Sequence, residues 1–127
     1  MRQVGIWIDH KKAVIVILSE DGASSTTVAS DVGPHSHFAG SQEGGGEKKY
    51  EERRVHELNR YYDSVISHVG DPDALLLMGP GEAKVELKAR IGRSPALVRR
   101  ALSLVNSDKL TRPQIVARVK AHFEVGG

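Results

Sequence analysis

Residues 74–88 read ALLLMGPGEAKVELK, which is an uninterrupted apolar run, a Gly-Pro-Gly corner and a segment rich in helix-forming residues. A strand that is apolar at every position is typical of one covered on both faces, and glycine and proline mark the turn that follows. The stretch therefore predicts a buried strand that leads into a helix of a layered α/β domain. The first amides of that helix would lie at the carboxyl end of the strand, where open α/β sheets bind ligands.

Three strand patterns precede this stretch. Residues 4–8 and 13–18 are apolar and β-branched, with a short polar connection between them. Residues 24–29 follow Asp21-Gly22, a strong turn signal. We expect three successive antiparallel strands, with the third at the edge of the sheet because it is the most polar.

Helices and one more strand are predicted in the rest of the chain. Residues 47–69 carry apolar side chains at helical spacing, and a second helix follows the corner and ends near Ile91. Residues 98–105 permit either a strand or a helical turn; we interpret them as a strand because a second consecutive helix would leave the sheet with too few strands. Thr111 is the expected N-cap of a last helix, whose inner face would carry Ile115, Val116, Val119 and Phe123.

The order of these elements is that of the ribonuclease-H-like fold: three antiparallel strands, then helix, strand, helix, strand, helix. We expect a three-layer α/β domain at residues 1–127, with a mixed five-stranded sheet and helices on both faces. Residues 33–47 are Gly-rich and lack apolar periodicity, which predicts a long flexible loop.

The composition narrows the classes of function. The chain has no cysteine, which excludes disulfides, thiol nucleophiles and thiolate metal sites. Its first residues run directly into a strand pattern, and no stretch approaches a membrane span, so we expect a cytoplasmic protein without a membrane partner. Charge is uneven, since residues 82–120 hold ten Lys or Arg against three Asp or Glu. That excess favours an anionic partner such as RNA, although a solvated basic surface is an equal alternative.

Three segments carry a resemblance to a known family. Residues 5–13, 75–87 and 110–117 are similar to the middle domain of eukaryotic and archaeal peptide-release factors and of the ribosome-rescue factor Pelota, and to small bacterial relatives of that domain. With the order of elements, the resemblance extends over nearly the whole chain. It implies a bacterial protein associated with translation, with the ribosome, rRNA or tRNA as its partner.

The loop that carries the catalytic tripeptide in release factors differs here. Release factors have Gly-Gly-Gln at this place, whereas residues 40–49 read GSQEGGGEKK, so that Gln42 precedes the glycines Gly44, Gly45 and Gly46. Glu47 then follows the glycines, and its carboxylate would repel a developing oxyanion. The resemblance therefore implies a protein that binds the ribosome or RNA without catalysis. Two alternatives stay open: an enzyme, either a peptidyl-tRNA hydrolase or a metal-dependent nuclease, and a protein-interaction module.

Two sets of residues are candidate binding sites, and no cofactor is expected. The four basic residues that follow the glycine loop are predicted to contact RNA phosphates: Lys48, Lys49, Arg53 and Arg54. Equally, part of this charge would be taken up in pairs along the helix, such as Arg53 with Glu57. Gly79, Gly81 and Lys84 form a second candidate, for an anion, against the alternative that the glycines only permit tight packing.

Metal sites have less support. Asp9, with Glu47, Glu51 or Glu52 at the start of the long helix, would supply carboxylates for a two-metal nuclease, but the buried strand ends on Met78-Gly79 without one. A turn residue that accepts backbone hydrogen bonds is the favoured interpretation of Asp9. His35 and His37 lack a third ligand nearby in the sequence. We therefore predict no metal and no catalytic residue.

Overall fold

The computed structural model describes the backbone of residues 2–30 and 46–126, and the side chains of these residues except at 46–50 and 125–126. Five strands and three helices follow one another in the predicted order. They are β1 (Gln3–Ile8), β2 (Lys12–Ser19), β3 (Gly22–Ala29), α1 (Gly46–Val69), β4 (Ala74–Gly79), α2 (Ala83–Ile91), β5 (Ala101–Asn106) and α3 (Arg112–Gly126).

The strands form one open sheet in the order β3-β2-β1-β4-β5. β2 pairs antiparallel with both β1 and β3, whereas β4 pairs parallel with both β1 and β5. This is the mixed five-stranded sheet of a ribonuclease-H-like fold, and β3 is an edge strand as predicted. The parallel strands β1, β4 and β5 have their carboxyl ends on the same side of the sheet. The β1–β2 turn and the Gly-Pro-Gly corner therefore lie close together.

Helices cover both faces of the sheet, and each face has its own apolar core. On the first face Ile6 and Leu77 pack with side chains of α1 and α2, among them Val65 and Leu87. The second core joins the sheet to α3, and its buried members are Trp7, Val14, Val16, Leu76, Met78, Ile115 and Val119. Successive residues of β4 thus enter opposite cores, which confirms that its unbroken apolar run reflects burial on both sides.

α3 is fixed by its first turn and by its middle. The amide of Gln114 donates to Thr111 Oγ1 at 3.3 Å, and the amide of Thr111 donates to Gln114 Oε1 at 2.8 Å, which is a capping box and confirms the predicted N-cap. Arg112 donates to the hydroxyls of Ser25 and Thr27 on β3. Val119 lies against Gly5 of β1, where a side chain larger than hydrogen would collide with it.

The start of β5 differs from the prediction. The strand begins at Ala101 rather than at residue 98, because the amides of Leu97 and Val98 both donate to the carbonyl of Ser94 and form a turn. That turn buries Leu97 in the first core, so the chain becomes extended only after Arg100. The sequence permitted this helical turn, and our choice of a strand for residues 98–100 was wrong.

Much of the predicted glycine loop falls outside the described residues. This applies to His35, His37, Gln42, Gly44 and Gly45. Gly46, which we assigned to the loop, is the first residue of α1, so the helix begins one residue before the predicted start at Glu47.

Candidate functional site

The predicted RNA-binding residues all belong to the first nine residues of α1. Arg53 is exposed and Arg54 is half-buried, while the side chains of Lys48 and Lys49 lie outside the described part of the chain. Arg53 and Glu57, both described, form no ion pair, so this basic side chain is not taken up by the intrahelical partner that the spacing suggested. We call Lys48, Lys49, Arg53 and Arg54 the basic flank.

The body of the domain holds α1 by its carboxyl-terminal part. Between Glu51 and Arg60 no described side chain is fully buried, and Tyr61 is the first that is. A helix rises about 1.5 Å per residue, so Gly46 lies roughly 22 Å along the axis from Tyr61. Arg53 and Arg54 therefore lie on a stretch of α1 without a fully buried side chain, and Val55 beside them is exposed.

A polar cluster sits where α1 meets the ends of β1 and β4. Glu86 Oε1 of α2 accepts a hydrogen bond from the Tyr62 hydroxyl and lies 3.0 Å from His10 Nε2 in the β1–β2 turn. Next to it, the Tyr61 hydroxyl donates to the carbonyl of Asp9 at 2.9 Å. We call His10, Tyr62 and Glu86 the His10 cluster. It ties the hairpin, α1 and α2 together with side chains from three distant parts of the sequence.

The hydroxyl groups of both tyrosines in this region stay protonated at pH values well above those at which a tyrosine ordinarily ionises. Burial raises the pKa of Tyr61, and the negative charge of Asp9 raises it further. Burial also raises the pKa of Tyr62, with the hydrogen bond to Glu86 as the next cause, while the positive charge of Arg54 opposes the shift. The two phenols thus act as hydrogen-bond donors. Their raised pKa values are typical of side chains with a structural role and not of acid–base groups tuned for neutral pH.

Asp9 serves the turn between β1 and β2. Its Oδ1 accepts hydrogen bonds from the amides of Lys11 and Lys12, both at 2.8 Å. This is the arrangement favoured from the sequence, and it uses one carboxylate oxygen that a metal ion would need. Among the described side chains, those of residues 2–30 and 51–124, moreover, no three His, Asp or Glu groups lie closely enough together to hold an ion.

The Gly-Pro-Gly corner holds its shape by an internal contact. Gly79 and Gly81 have φ values of +145° and +66°, a region that side chains disfavour. Lys84 is buried, and its Nζ donates to the carbonyl of Gly81 at 2.8 Å. The ammonium group that we predicted for an anion therefore has a backbone partner within the corner. The assignment of Gly79, Gly81 and Lys84 to an anion site stays a prediction.

A shallow cavity of about 430 Å³ lies beside the corner, at the carboxyl ends of β4 and β5. Its lining is polar and includes the guanidinium-bearing Arg118 of α3 together with Pro80, Gly81, Asn106, Ser107 and Asp108. The cation that lines this cavity thus comes from the last helix and not from the glycine corner itself.

The sequence did not single out the His10 cluster or Arg118. His10, Tyr62 and Glu86 have no motif spacing, because the parallel pairing of β1 with β4 is what brings their elements together. The signal available was indirect: Asp9-His10 and the corner both follow strands that end at one edge of the sheet. For Arg118 the sequence held no signal beyond its place in the helical periodicity of α3.

Comparison with known proteins supports the fold. No protein-family model matches the chain, and no curated protein matches it. Among solved structures, Pelota from Archaeoglobus fulgidus superimposes with a TM-score of 0.60 over 95% of this chain, at 16% sequence identity. The fold is similar to that of Pelota. The match covers 31% of the Pelota chain, so this chain spans about a third of it.

Two further solved structures match with lower scores. Pelota from Thermoplasma acidophilum has a TM-score of 0.43 and 15% identity over 98% of this chain and 32% of its own. The archaeal translation termination factor aRF1 has a TM-score of 0.46 and 14% identity over 98% of this chain and 41% of its own. In the described part of the chain, no helix has the length and apolar character needed to cross a membrane.

Proposed function

We propose that this protein is a cytoplasmic component associated with translation, which binds the ribosome or RNA through the basic flank of α1 and catalyses no hydrolysis itself. The observation that carries the proposal is the likeness of fold to Archaeoglobus fulgidus Pelota over 95% of the chain. We further propose that the similar part of the release factors and Pelota is their middle domain.

The basic flank supports the assignment of the binding surface. Arg53 is exposed on the stretch 51–60 of α1, where no side chain is fully buried, and it lies seven residues after the glycine-rich residues 40–46. A basic helix end of this kind suits a nucleic-acid backbone, since arginine and lysine neutralise phosphates without reading sequence. The lack of Gly-Gly-Gln at residues 40–49 supports a role without hydrolysis.

Ribosome co-sedimentation tests the binding surface. The wild-type protein is expected to sediment with ribosomes at low salt and to be released steeply between roughly 50 and 200 mM salt, as phosphate contacts require. Replacement of Lys48, Lys49, Arg53 and Arg54 by Gln should abolish sedimentation. A matched variant with Gln at Arg93, Arg99, Lys109 and Lys120 loses the same charge from other exposed positions and should still bind.

Three results would contradict this proposal. Absence of the wild-type protein from the ribosome pellet at low salt would reject ribosome binding. Equal losses in the two variants would show that only total charge matters. If cellular function survived loss of the basic flank, the domain would instead be an interaction module for protein.

The non-catalytic part of the proposal has its own test. Incubation with peptidyl-tRNA, and separately with structured RNA plus Mg²⁺, is expected to give no product above that of buffer. Release of the peptide would indicate a hydrolase that uses the variant loop, and cleaved RNA would indicate a nuclease.

A further inference from the structure

Hydrogen bonds fix the backbone around the polar cavity beside the Gly-Pro-Gly corner. The amide of Ser107 donates to the carbonyl of Gly79 at 3.2 Å, which joins the end of β5 to the end of β4. The buried Trp7 donates through Nε1 to the carbonyl of Asp108 at 3.0 Å, and the Ser107 hydroxyl donates to the same carbonyl. These contacts hold this part of the lining in place without a ligand.

Two opposite charges line the cavity without pairing with each other. Asp108, which follows β5, and Arg118 of α3 are both exposed, and they form no ion pair. Among the described residues, Asp108 bonds only through its main-chain carbonyl, and the guanidinium of Arg118 forms no hydrogen bond. A guanidinium only donates and a carboxylate only accepts, so together they suit a ligand that carries both an anionic group and hydrogen-bond donors.

The cavity is larger than a simple ion requires. A water molecule takes up about 30 Å³ of the liquid, so the volume of about 430 Å³ corresponds to roughly fourteen waters. The side-chain amide of Asn106 adds a group that both donates and accepts. At Gly81, no atom lies within 4 Å of the place of a Cβ, so a ligand can approach the backbone of the corner closely. Both the volume and the polar lining therefore suit a ligand with several polar groups.

We propose that this cavity binds a small sugar phosphate of the ribose 5-phosphate type, with Arg118 on the phosphate and Asp108 on the sugar hydroxyls. The planar guanidinium of arginine matches two oxygens of a phosphate group. A carboxylate that accepts hydrogen bonds from ribose hydroxyls is a recurrent element of nucleotide sites at the carboxyl ends of parallel strands. The cavity lies at that edge of the sheet.

The two charges favour this class of ligand over a simple ion. Inorganic phosphate would pair with Arg118 but would be repelled by Asp108, and a metal cation would be repelled by the guanidinium. Lys84 takes no part in the site, because its Nζ donates to the carbonyl of Gly81. The proposed site therefore differs from the anion site predicted from the sequence, and it is also separate from the basic flank.

Isothermal titration calorimetry of the full chain with ribose 5-phosphate tests the proposal. We expect saturable binding of ribose 5-phosphate, weaker binding of inorganic phosphate and no binding of ribose, which lacks the anionic group. In NMR spectra of the ¹⁵N-labelled protein, the amide signals of Gly81 and Ser107 should shift on addition of ribose 5-phosphate. A variant with Gln at all four positions of the basic flank should bind it as the wild type does.

Two single variants separate the roles of the two charges. Arg118→Gln should weaken binding of ribose 5-phosphate about tenfold, because the phosphate loses a charged donor. Lys120→Gln is the matched control, since it removes one exposed positive charge from the same helix, and it should have no effect. Asp108→Ala should strengthen binding of inorganic phosphate by removing the repulsion, while the preference for ribose 5-phosphate over inorganic phosphate is lost.

Three results would overturn the proposal. The first is the absence of saturable binding of ribose 5-phosphate at millimolar concentration. The second is an equal loss in Arg118→Gln and Lys120→Gln, which would show that only overall charge attracts the ligand. The third is a wild-type affinity for inorganic phosphate, or for the zwitterion serine, that equals the affinity for ribose 5-phosphate. None of these results depends on ribosome binding, so the two proposals fail separately.

Discussion

Gly79 ends β4 directly against the backbone of Ile8, the last residue of β1. A Cβ on Gly79 would overlap the carbonyl oxygen of Ile8 and lie 3.2 Å from its nitrogen. The φ of +145° at Gly79 already disfavours a side chain. The first glycine of the corner is thus required by both the space and the backbone conformation, since the neighbouring atoms belong to a central strand and cannot move aside.

Gly79→Ala should therefore be strongly destabilising. We expect a loss of about 3 kcal/mol in the free energy of unfolding, measured by urea denaturation, because backbone strain and overpacking act together. Gly81→Ala is the matched control: Gly81 has a φ of +66° but no atom within 4 Å of the added Cβ. It should lose about 1 kcal/mol, the conformational part alone. Equal losses would mean that the contact with Ile8 contributes nothing.

Gly5 and Val119 offer a test of how α3 sits on the sheet. A Cβ on Gly5 would lie 2.7 Å from Val119 Cγ1, so Gly5→Ala should displace α3 and lower stability by about 1–3 kcal/mol. Val119→Ala removes the obstructing methyl groups but also leaves a cavity. In a double-mutant cycle, the pair should be less destabilised than the sum of the single variants. Simple additivity would exclude this contact.

The capping box of α3 predicts a modest and local effect. Thr111→Ala should cost about 1 kcal/mol, because the amide of Gln114 loses its side-chain acceptor. Thr111→Ser keeps the hydroxyl and should retain most of the stability. Hydrogen exchange at the first turn of α3 measures the change, and a uniform increase over the whole domain would contradict a local cap.

Tyr61 and Tyr62 predict a loss of stability in alkaline solution. Burial raises the pKa of both phenols in the folded protein, whereas in the unfolded chain they ionise near their ordinary value of 10.0. The folded state thus binds more protons than the unfolded state above about pH 10, so the free energy of unfolding falls as pH rises. Thermal melts of wild type and of the double Phe variant between pH 8 and about 11 should show a smaller alkaline decline in the variant. Parallel declines would contradict the raised pKa values.

The lowered pKa of Asp63 predicts a loss of stability in acid instead. Two hydrogen bonds from Arg90, at 2.8 and 2.9 Å, lower the pKa of Asp63. Its contribution to stability is therefore present above its unfolded pKa and is lost as the pH falls through the folded one. Asp63→Asn should be less stable than wild type at neutral pH, and the two should converge at low pH. Because Asp63 is exposed, high salt should also reduce the difference.

Local patterns in the sequence were sufficient for most of the fold. The apolar run of β4, the glycine corner and the periodicity of α1 each specify their element over a few residues, and the order of elements then specifies the sheet. The start of β5 was missed because a single buried side chain, Leu97, favours a turn over extension. No local pattern describes that choice.

The candidate sites were less predictable because they depend on long-range pairing. His10, Tyr62 and Glu86 meet only after β1 and β4 have paired across about seventy residues of sequence. Likewise, nothing local indicates that Lys84 turns inward to the carbonyl of Gly81. Residue type and spacing predicted which residues carry charge, whereas the fold decides which of those charges face solvent.

The two faces of the sheet are covered by different helices, and this has a consequence for synthesis of the chain. One face is covered by α1 and α2, which precede β5, but the apolar side chains on the other face pack only with α3 among the described helices. Trp7, Val14 and Met78 therefore stay uncovered until α3 has been synthesised. During that interval the nascent sheet exposes a hydrophobic surface, and chaperone capture or premature aggregation would act at this stage rather than on the finished protein.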